Sequence, residues 1–192
     1  MRKLLISFYK KTAQVVNEQH TALFTKYLLL TNTVSSGFLM YIGEYFAQRI
    51  EKSRNFNENE YDKEKMKQLA VVGLSQGPLH HYTYLWMERL LPGNAKSTIV
   101  KKIMSDQFIV SPVFILHYFY TSYFLEGRKV TETNELLKDK FLKVYAADWL
   151  VWPATQFINF MFVPLQYRVL YINMITMFYN IFLCYVKNER KH

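Results

Sequence analysis

Two uncharged, aromatic-rich stretches separated by a single arginine dominate the C-terminal part of this chain. Residues 149–167 run for nineteen residues without a charge, Arg168 follows, and residues 169–186 run for eighteen more. A helix rises about 1.5 Å per residue, so each stretch is close to the roughly 30 Å needed to cross the hydrocarbon core of a bilayer. Neither stretch is uniformly apolar, because Gln156, Asn159, Asn173 and Asn180 lie inside them. Polar side chains at membrane depth are costly and face other helices or a wet cavity. The pattern predicts membrane helices around a polar interior.

Three further neutral windows precede these, at residues 27–43, 68–87 and 107–125, the last interrupted by His117. Charges crowd into the connections, and the mean hydropathy of −0.08 averages over that segregation. One such window suits the core helix of a soluble protein, but five in 192 residues are hard to bury in a soluble fold. The expected fold class is all-α: a polytopic integral membrane helical bundle with four spanning helices plus an amphipathic connector helix. A fifth span is the alternative, depending on whether residues 164–168 form a tight turn or a kink.

The connections carry their own signals. Residues 49–67 form a charged connector containing Glu58, Glu60, Asp62 and Glu64, and Leu91-Pro92-Gly93-Asn94 is a turn signal. Glu126-Gly127-Arg128 ends the third window. Residues 131–147 place Leu136, Leu137, Phe141 and Tyr145 at helical spacing, with Thr131 to Glu135 offering an N-cap. Gly37 and Gly43 in the first window permit close helix approach. Pro78, Pro112 and Pro153 fall in or near neutral windows, where a proline frees carbonyls that neighbours must satisfy. Lys and Arg are almost evenly shared between the two sides, so the positive-inside rule gives no orientation.

The chain reads as one membrane domain over residues 1–192, with a basic segment at 1–20 and the bundle at 21–192. The first twenty residues are basic and contain only Glu18 as an acid. That composition suits a mitochondrial targeting segment, the alternative being a basic helix on an anionic membrane surface. The net charge of +9 admits a membrane-surface bias, nucleic-acid contact or targeting. The single Cys184 rules out an intrachain disulfide.

Several residues stand out chemically. Arg168, alone between two neutral windows, is either a cation for an anion, a lipid phosphate or a buried acid such as Asp148 or Asp106, or an interfacial side chain reaching headgroups. Asp106, Gln107, Gln156 and Asn159 are candidates to line a polar pathway or to bond helices together, and Asn173 joins them. Gln156 and Asn159 share a helix face. His80 and His81 diverge by about 100° on a helix, a poor geometry for chelation, so no metal is expected. Trp86, Trp149 and Trp152 suit an interfacial belt or packing. No phosphate loop, zinc pattern, nucleophile motif or DNA motif occurs, and neither an enzyme activity, a catalytic residue nor a cofactor is expected. Lys138, Lys140 and Lys143 are basic positions that suit RNA or lipid headgroups.

Three motif blocks then carry a resemblance. They are Gly77-Pro78 with Tyr84, Glu88-Arg89 and Pro92-Gly93; Asp106-Gln107, Pro112 and Leu125-Glu126-Gly127; and Asp148-Trp149, Trp152-Pro153, Gln156, Asn159-Phe160, Val163-Pro164, Arg168 and Asn173. Together they resemble the Mpv-seventeen and peroxisomal-membrane-protein family over nearly the whole chain. Leu30-Thr31-Asn32-Thr33, Ala147-Asp148-Trp149 and the Arg168 to Asn173 stretch look closest to the mitochondrial Mpv-seventeen-like protein two branch. Thr83 and Phe178-Tyr179 depart from the usual family pattern. The resemblance implies four spanning helices in the mitochondrial inner membrane, with the peroxisomal membrane as the alternative. It implies a factor for mitochondrial ribosome assembly and translation, with the large ribosomal subunit and membrane lipid as partners. The rival is a weakly selective channel for small solutes. A homo-oligomer is compatible with either.

Overall fold

A computed structural model describes residues 14, 17–55 and 61–188. Most of the basic N-terminal segment, the middle of the 49–67 connector and the side chain of Cys184 lie outside the described residues. Among the described residues the chain is helical and contains no strand. The long elements are α1 (Leu28–Asn55), α2 (Lys63–Leu90), α3 (Lys96–Ser105), α4 (Ser111–Leu125), α5 (Val130–Phe162) and α6 (Arg168–Asn188).

Helices α1 and α2 form an antiparallel pair whose closeness is set by glycine. A Cβ on Gly73 would stand 2.6 Å from the carbonyl oxygen of Ser36, and one on Gly77 would stand 2.5 Å from Cα of Thr33. The backbones therefore touch along a Gly73-xxx-Gly77 stripe, the spacing that favours close helix approach. Gly37 meets the side chain of Leu74, and Gly43 meets the backbone of Met177 on α6. At the far end of the pair, Lys65 pairs with buried Glu44 at 2.9 Å. Gln48 bonds both Glu44 and the backbone of Asp62, which in turn caps α2.

Helices α3 and α4 are joined without a break by a π-helical turn, Asp106–Val110, closed by a bond from the Ser111 N–H to the Asp106 carbonyl. Pro112 follows at the start of α4, where its missing N–H is tolerated. The widened turn leaves Asp106 and Gln107, adjacent in sequence, both buried. Gly93 and Gly127 adopt positive φ (85° and 75°) in the turns on either side of the α3–α4 rod.

The structure decides three local expectations. The amphipathic stretch at 131–147 runs on into the fourth window as the first half of α5, because no glycine or proline interrupts it before Pro153, which itself sits within the helix. The cap expected from Thr131 to Glu135 is absent, since α5 begins at Val130 after Lys129 without a side-chain cap, and the Thr133 hydroxyl bonds back to the Lys129 carbonyl. Residues 164–168 make a reversal rather than a kink. Val163 is extended, Leu165–Tyr167 form a 3-10 turn, and α6 returns along α5 so that Tyr179 meets Val144 and Asp148. His20 and Phe24, on a helical turn preceding α1, pack on Tyr167.

The bundle is inverted relative to a water-soluble fold. Phe38, Trp86, Leu90, Phe108, Ile109, Phe124, Leu150 and Phe162 are exposed on its outside. Buried polar side chains are as numerous as buried apolar ones among the described residues. Among the described residues one helix, the continuous Lys96–Leu125 rod, qualifies by length and composition as long and apolar enough to cross a membrane. The polar residues that the other helices turn inward lower their average hydropathy.

Candidate functional site

The polar interior runs through the bundle in three groups. At one end, Glu88 near the close of α2 accepts from two cations. Arg168 Nη1 lies 2.7 Å and Lys102 Nζ 2.8 Å from the same Oε2. Lys102 also donates to the Gly93 carbonyl, and Arg168 Nε to the Val163 carbonyl. Both cations approach the ring of Phe160, at 5.6 and 5.4 Å from its centroid. One carboxylate thus joins α2, α3 and the start of α6. The lysine is fully buried and the arginine nearly so.

In the middle, Gln156 and Asn159 face Tyr84. Gln156 Nε2 donates to the Tyr84 hydroxyl at 3.0 Å, and Asn159 Nδ2 to Gln156 Oε1 at 3.0 Å. Gln107 donates to Asp106 at 3.3 Å, while Tyr145 donates to the Gln107 carbonyl. Beside them Asp148 collects three donors: the hydroxyls of Ser111 and Tyr179, and the Trp152 indole N–H at 3.1 Å. Helices α4, α5 and α6 meet at this one carboxyl group. Towards α1, Asn173 bonds Ser35 at 3.2 Å and Ser36 at 3.0 Å.

A cavity of about 70 Å³ opens among these groups, lined by side chains that include Gln76, His80, Asp106, Asp148, Gln156 and Asn180. Among the described residues no group of three or more His, Cys, Asp or Glu is placed to hold a metal ion.

The candidate residues therefore converge: Asp106, Gln107, Gln156, Asn159, Arg168 and Asn173 are all buried in the interior. Arg168 takes Glu88 as its partner instead of Asp106 or Asp148, because it opens α6 beside the end of α2, whereas Asp148 lies deeper and has its own donors. Of the motif residues, Gly77 sets the α1–α2 contact, and Pro78 sits inside α2 as Pro153 does inside α5. Pro164 opens the reversal into α6. Trp149 packs on Phe108 and Tyr145 instead of on the polar groups. His80 and His81 part company, one stacking on Phe114 and the other bonding Asn32.

Sequence reasoning missed Lys102, Ser111, Thr176 and Tyr179 as interior groups, and counted Glu88 only as a motif residue. Lys102 had a faint signal, since it stands three residues after buried Ile99 on the same helix face.

An apolar exterior around a hydrogen-bonded polar core defines a helical membrane protein. The chain belongs to the Mpv17 / PMP22 family, whose sequence profile matches residues 123–184. It is 32% identical over 169 residues to peroxisomal membrane protein 2 of Bos taurus, covering 86% of each chain. It is 30% identical over 176 residues to PXMP2/4 family protein 2 of Dictyostelium discoideum, covering 90% of this chain and 91% of that one. An Mpv17-like protein of Xenopus laevis is 30% identical, over 83% of this chain and 77% of its own. No solved structure matches the chain.

Proposed function

We infer that the protein is a multi-span helical pore of an organelle membrane, passing small polar solutes along its interior. The carrying observation is the run of buried polar groups from the Glu88 clasp through Tyr84, Gln156 and Asn159 to the cavity beside Asp148. The reversal at 164–168 supports five crossings over four, since it separates the last two neutral windows into antiparallel helices. Reconstitution of the full chain into planar bilayers tests this reading. Discrete conductance steps that change size in Gln156→Leu, with the protein still inserted, support it. Silent bilayers would refute it.

The second reading is a membrane factor for mitochondrial ribosome assembly and translation, docking the large ribosomal subunit at the inner membrane. It rests on the branch motifs and on one structural feature. α5 has 33 residues, about 50 Å of helix, and so extends about 20 Å beyond a hydrocarbon core. Lys138 and Lys143 are exposed on its first half. Lys138 already pairs with Glu135 at 2.8 Å, which weakens its case as an RNA contact. Sedimentation of gently solubilised mitochondria separates the readings. Co-migration with the large subunit, lost on ribosome dissociation, supports the assembly factor, whereas a small ribosome-independent complex supports the pore. Recovery of the protein in peroxisomes instead of mitochondria would move either function to the alternative compartment.

A further inference from the structure

The central cavity brings together acidic groups and unpaired polar atoms. Two carboxyl groups face it, Asp106 and Asp148, and among the described residues no lysine or arginine lines it. Asp148 is fully engaged by Ser111, Tyr179 and Trp152. Asp106 is 5% exposed, and its neighbours Gln107 and Gln156 offer only neutral amides. The basic side chain in the lining, His80, has its ring packed at 4.1 Å on Phe114 and 6.2 Å on Tyr84, in aromatic surroundings.

Helix α6 adds a second, independent sign of a ligand. Thr176 and Asn180 also line the cavity, four residues apart and therefore on one face. The Thr176 hydroxyl and both amide atoms of Asn180 are buried without a hydrogen-bond partner, and Asn180 is 0% exposed. Buried polar atoms left unpaired are strongly unfavourable, so something in the cavity meets them. Water would satisfy the amide and the hydroxyl but would not balance a buried carboxylate. A cation with some water does both, and the cavity has room for it at about 10–15 Å³ per water.

The donors set the class of cation. Carboxylate, amide and hydroxyl oxygens suit hard ions, and the His and Cys ligands that soft transition metals favour are not grouped here. Three donors already occupy Asp148, whereas Asp106 has only neighbouring amides, so Asp106 is the carboxyl placed to meet an ion, and one carboxylate suits one of single charge. We propose that the cavity is a binding site for one alkali cation, sodium or potassium, held through Asp106, Thr176 and Asn180 with water completing its shell. The site is independent of conduction: an ion held here stabilises the bundle whether or not solutes pass.

The test uses the full-length protein in lipid nanodiscs. Thermal unfolding is followed in sodium chloride, potassium chloride and N-methylglucamine chloride at equal ionic strength. Sodium or potassium should raise Tm by about 3 °C or more over N-methylglucamine, saturating with concentration. Thr176→Val and the milder Asn180→Ser should each reduce that increment. Asp106→Asn should abolish it. Identical native curves in all three salts would overturn the proposal and leave water as the occupant. A full increment persisting in Asp106→Asn and Thr176→Val would overturn the assigned site.

Discussion

Arg168 and Glu88 stand eighty residues apart in sequence and 2.7 Å apart in space, and Lys102 shares the same carboxylate oxygen. This places two buried cations on one partly exposed acid, so the three helices depend on a single side chain for charge balance. Removing Glu88 as Glu88→Ala strands both cations. Breaking a buried pair costs about 3–5 kcal/mol, and the partial exposure of Glu88 reduces that to about 2–3 kcal/mol. Arg168→Ala should lose a similar amount. Arg168→Lys keeps the charge while giving up the Val163 bond, and should lose less. Unfolding midpoints in nanodiscs, arranged as a double-mutant cycle between positions 88 and 168, measure the coupling. Native-like stability in all three variants would remove any specific role for Arg168.

The α1–α2 contact makes a graded prediction. At Gly73 and Gly77 an added methyl meets backbone atoms of α1 at 2.6 and 2.5 Å, so the helices must separate. Gly73→Ala and Gly77→Ala should each cost about 1–3 kcal/mol, the range for overpacking a tight interface. At Gly37 the same methyl meets the Leu74 side chain at 2.7 Å, which has freedom to turn aside, and the Ala70 carbonyl oxygen only at 3.1 Å. Gly37→Ala should therefore cost less than either. Ranking the three alanine variants by thermal unfolding checks the order, and a Gly37→Ala as damaging as Gly77→Ala would contradict it.

What the sequence disclosed depends on how far apart the interacting residues are. The helices were legible because long neutral windows and the turns at Gly93 and Gly127 are local features. The buried state of Asp106, Gln156, Asn159 and Asn173 was also legible, since a polar residue within an apolar run must face inward. Partner choice was not. Arg168 had several acids available, and its selection of Glu88 follows from where α2 ends and α6 begins, a relation with no trace in nearby sequence. Lys102 was hidden for a related reason: beside Lys101 it looked like a solvated charge.

Asp148 offers a test of the point where α4, α5 and α6 meet. Its carboxylate accepts from Ser111, Trp152 and Tyr179. Hydroxyls rotate to accept as well as donate, but the indole N–H only donates. Asp148→Asn should therefore be tolerated if the amide oxygen turns to Trp152, at a cost of about 1–2 kcal/mol for the weaker neutral bonds. Asp148→Leu takes the acceptor from Ser111 and Trp152 and leaves Tyr179 its longer bond to the Val144 carbonyl, and should cost clearly more. Tyr179→Phe removes one donor and should cost about 1 kcal/mol. Unfolding midpoints give the order, and Asp148→Leu equal to the native protein would refute the arrangement.

Gln156 separates a conducting interior from a merely cohesive one. Its amide bridges Tyr84 and Asn159 in the middle of the bundle, next to the cavity. Leucine is close in size and removes both bonds, leaving the Tyr84 hydroxyl and the Asn159 amide short of partners. As glue alone, the glutamine contributes about 1–3 kcal/mol, and Gln156→Leu should then lower abundance and thermal stability together. As part of a pathway it also sets the polarity of the passage, so conductance per inserted molecule should fall even after stability is restored by lower temperature. Gln156→Glu adds the contrasting arm. A carboxylate there keeps an acceptor for Tyr84 and Asn159 while placing negative charge beside the cavity, and should raise preference for cations over anions. Measuring reversal potential in salt gradients for the native protein and both variants decides the matter. Selectivity unchanged in Gln156→Glu, with conductance per molecule unchanged in Gln156→Leu, would leave the glutamine a structural residue and place the conducting path elsewhere.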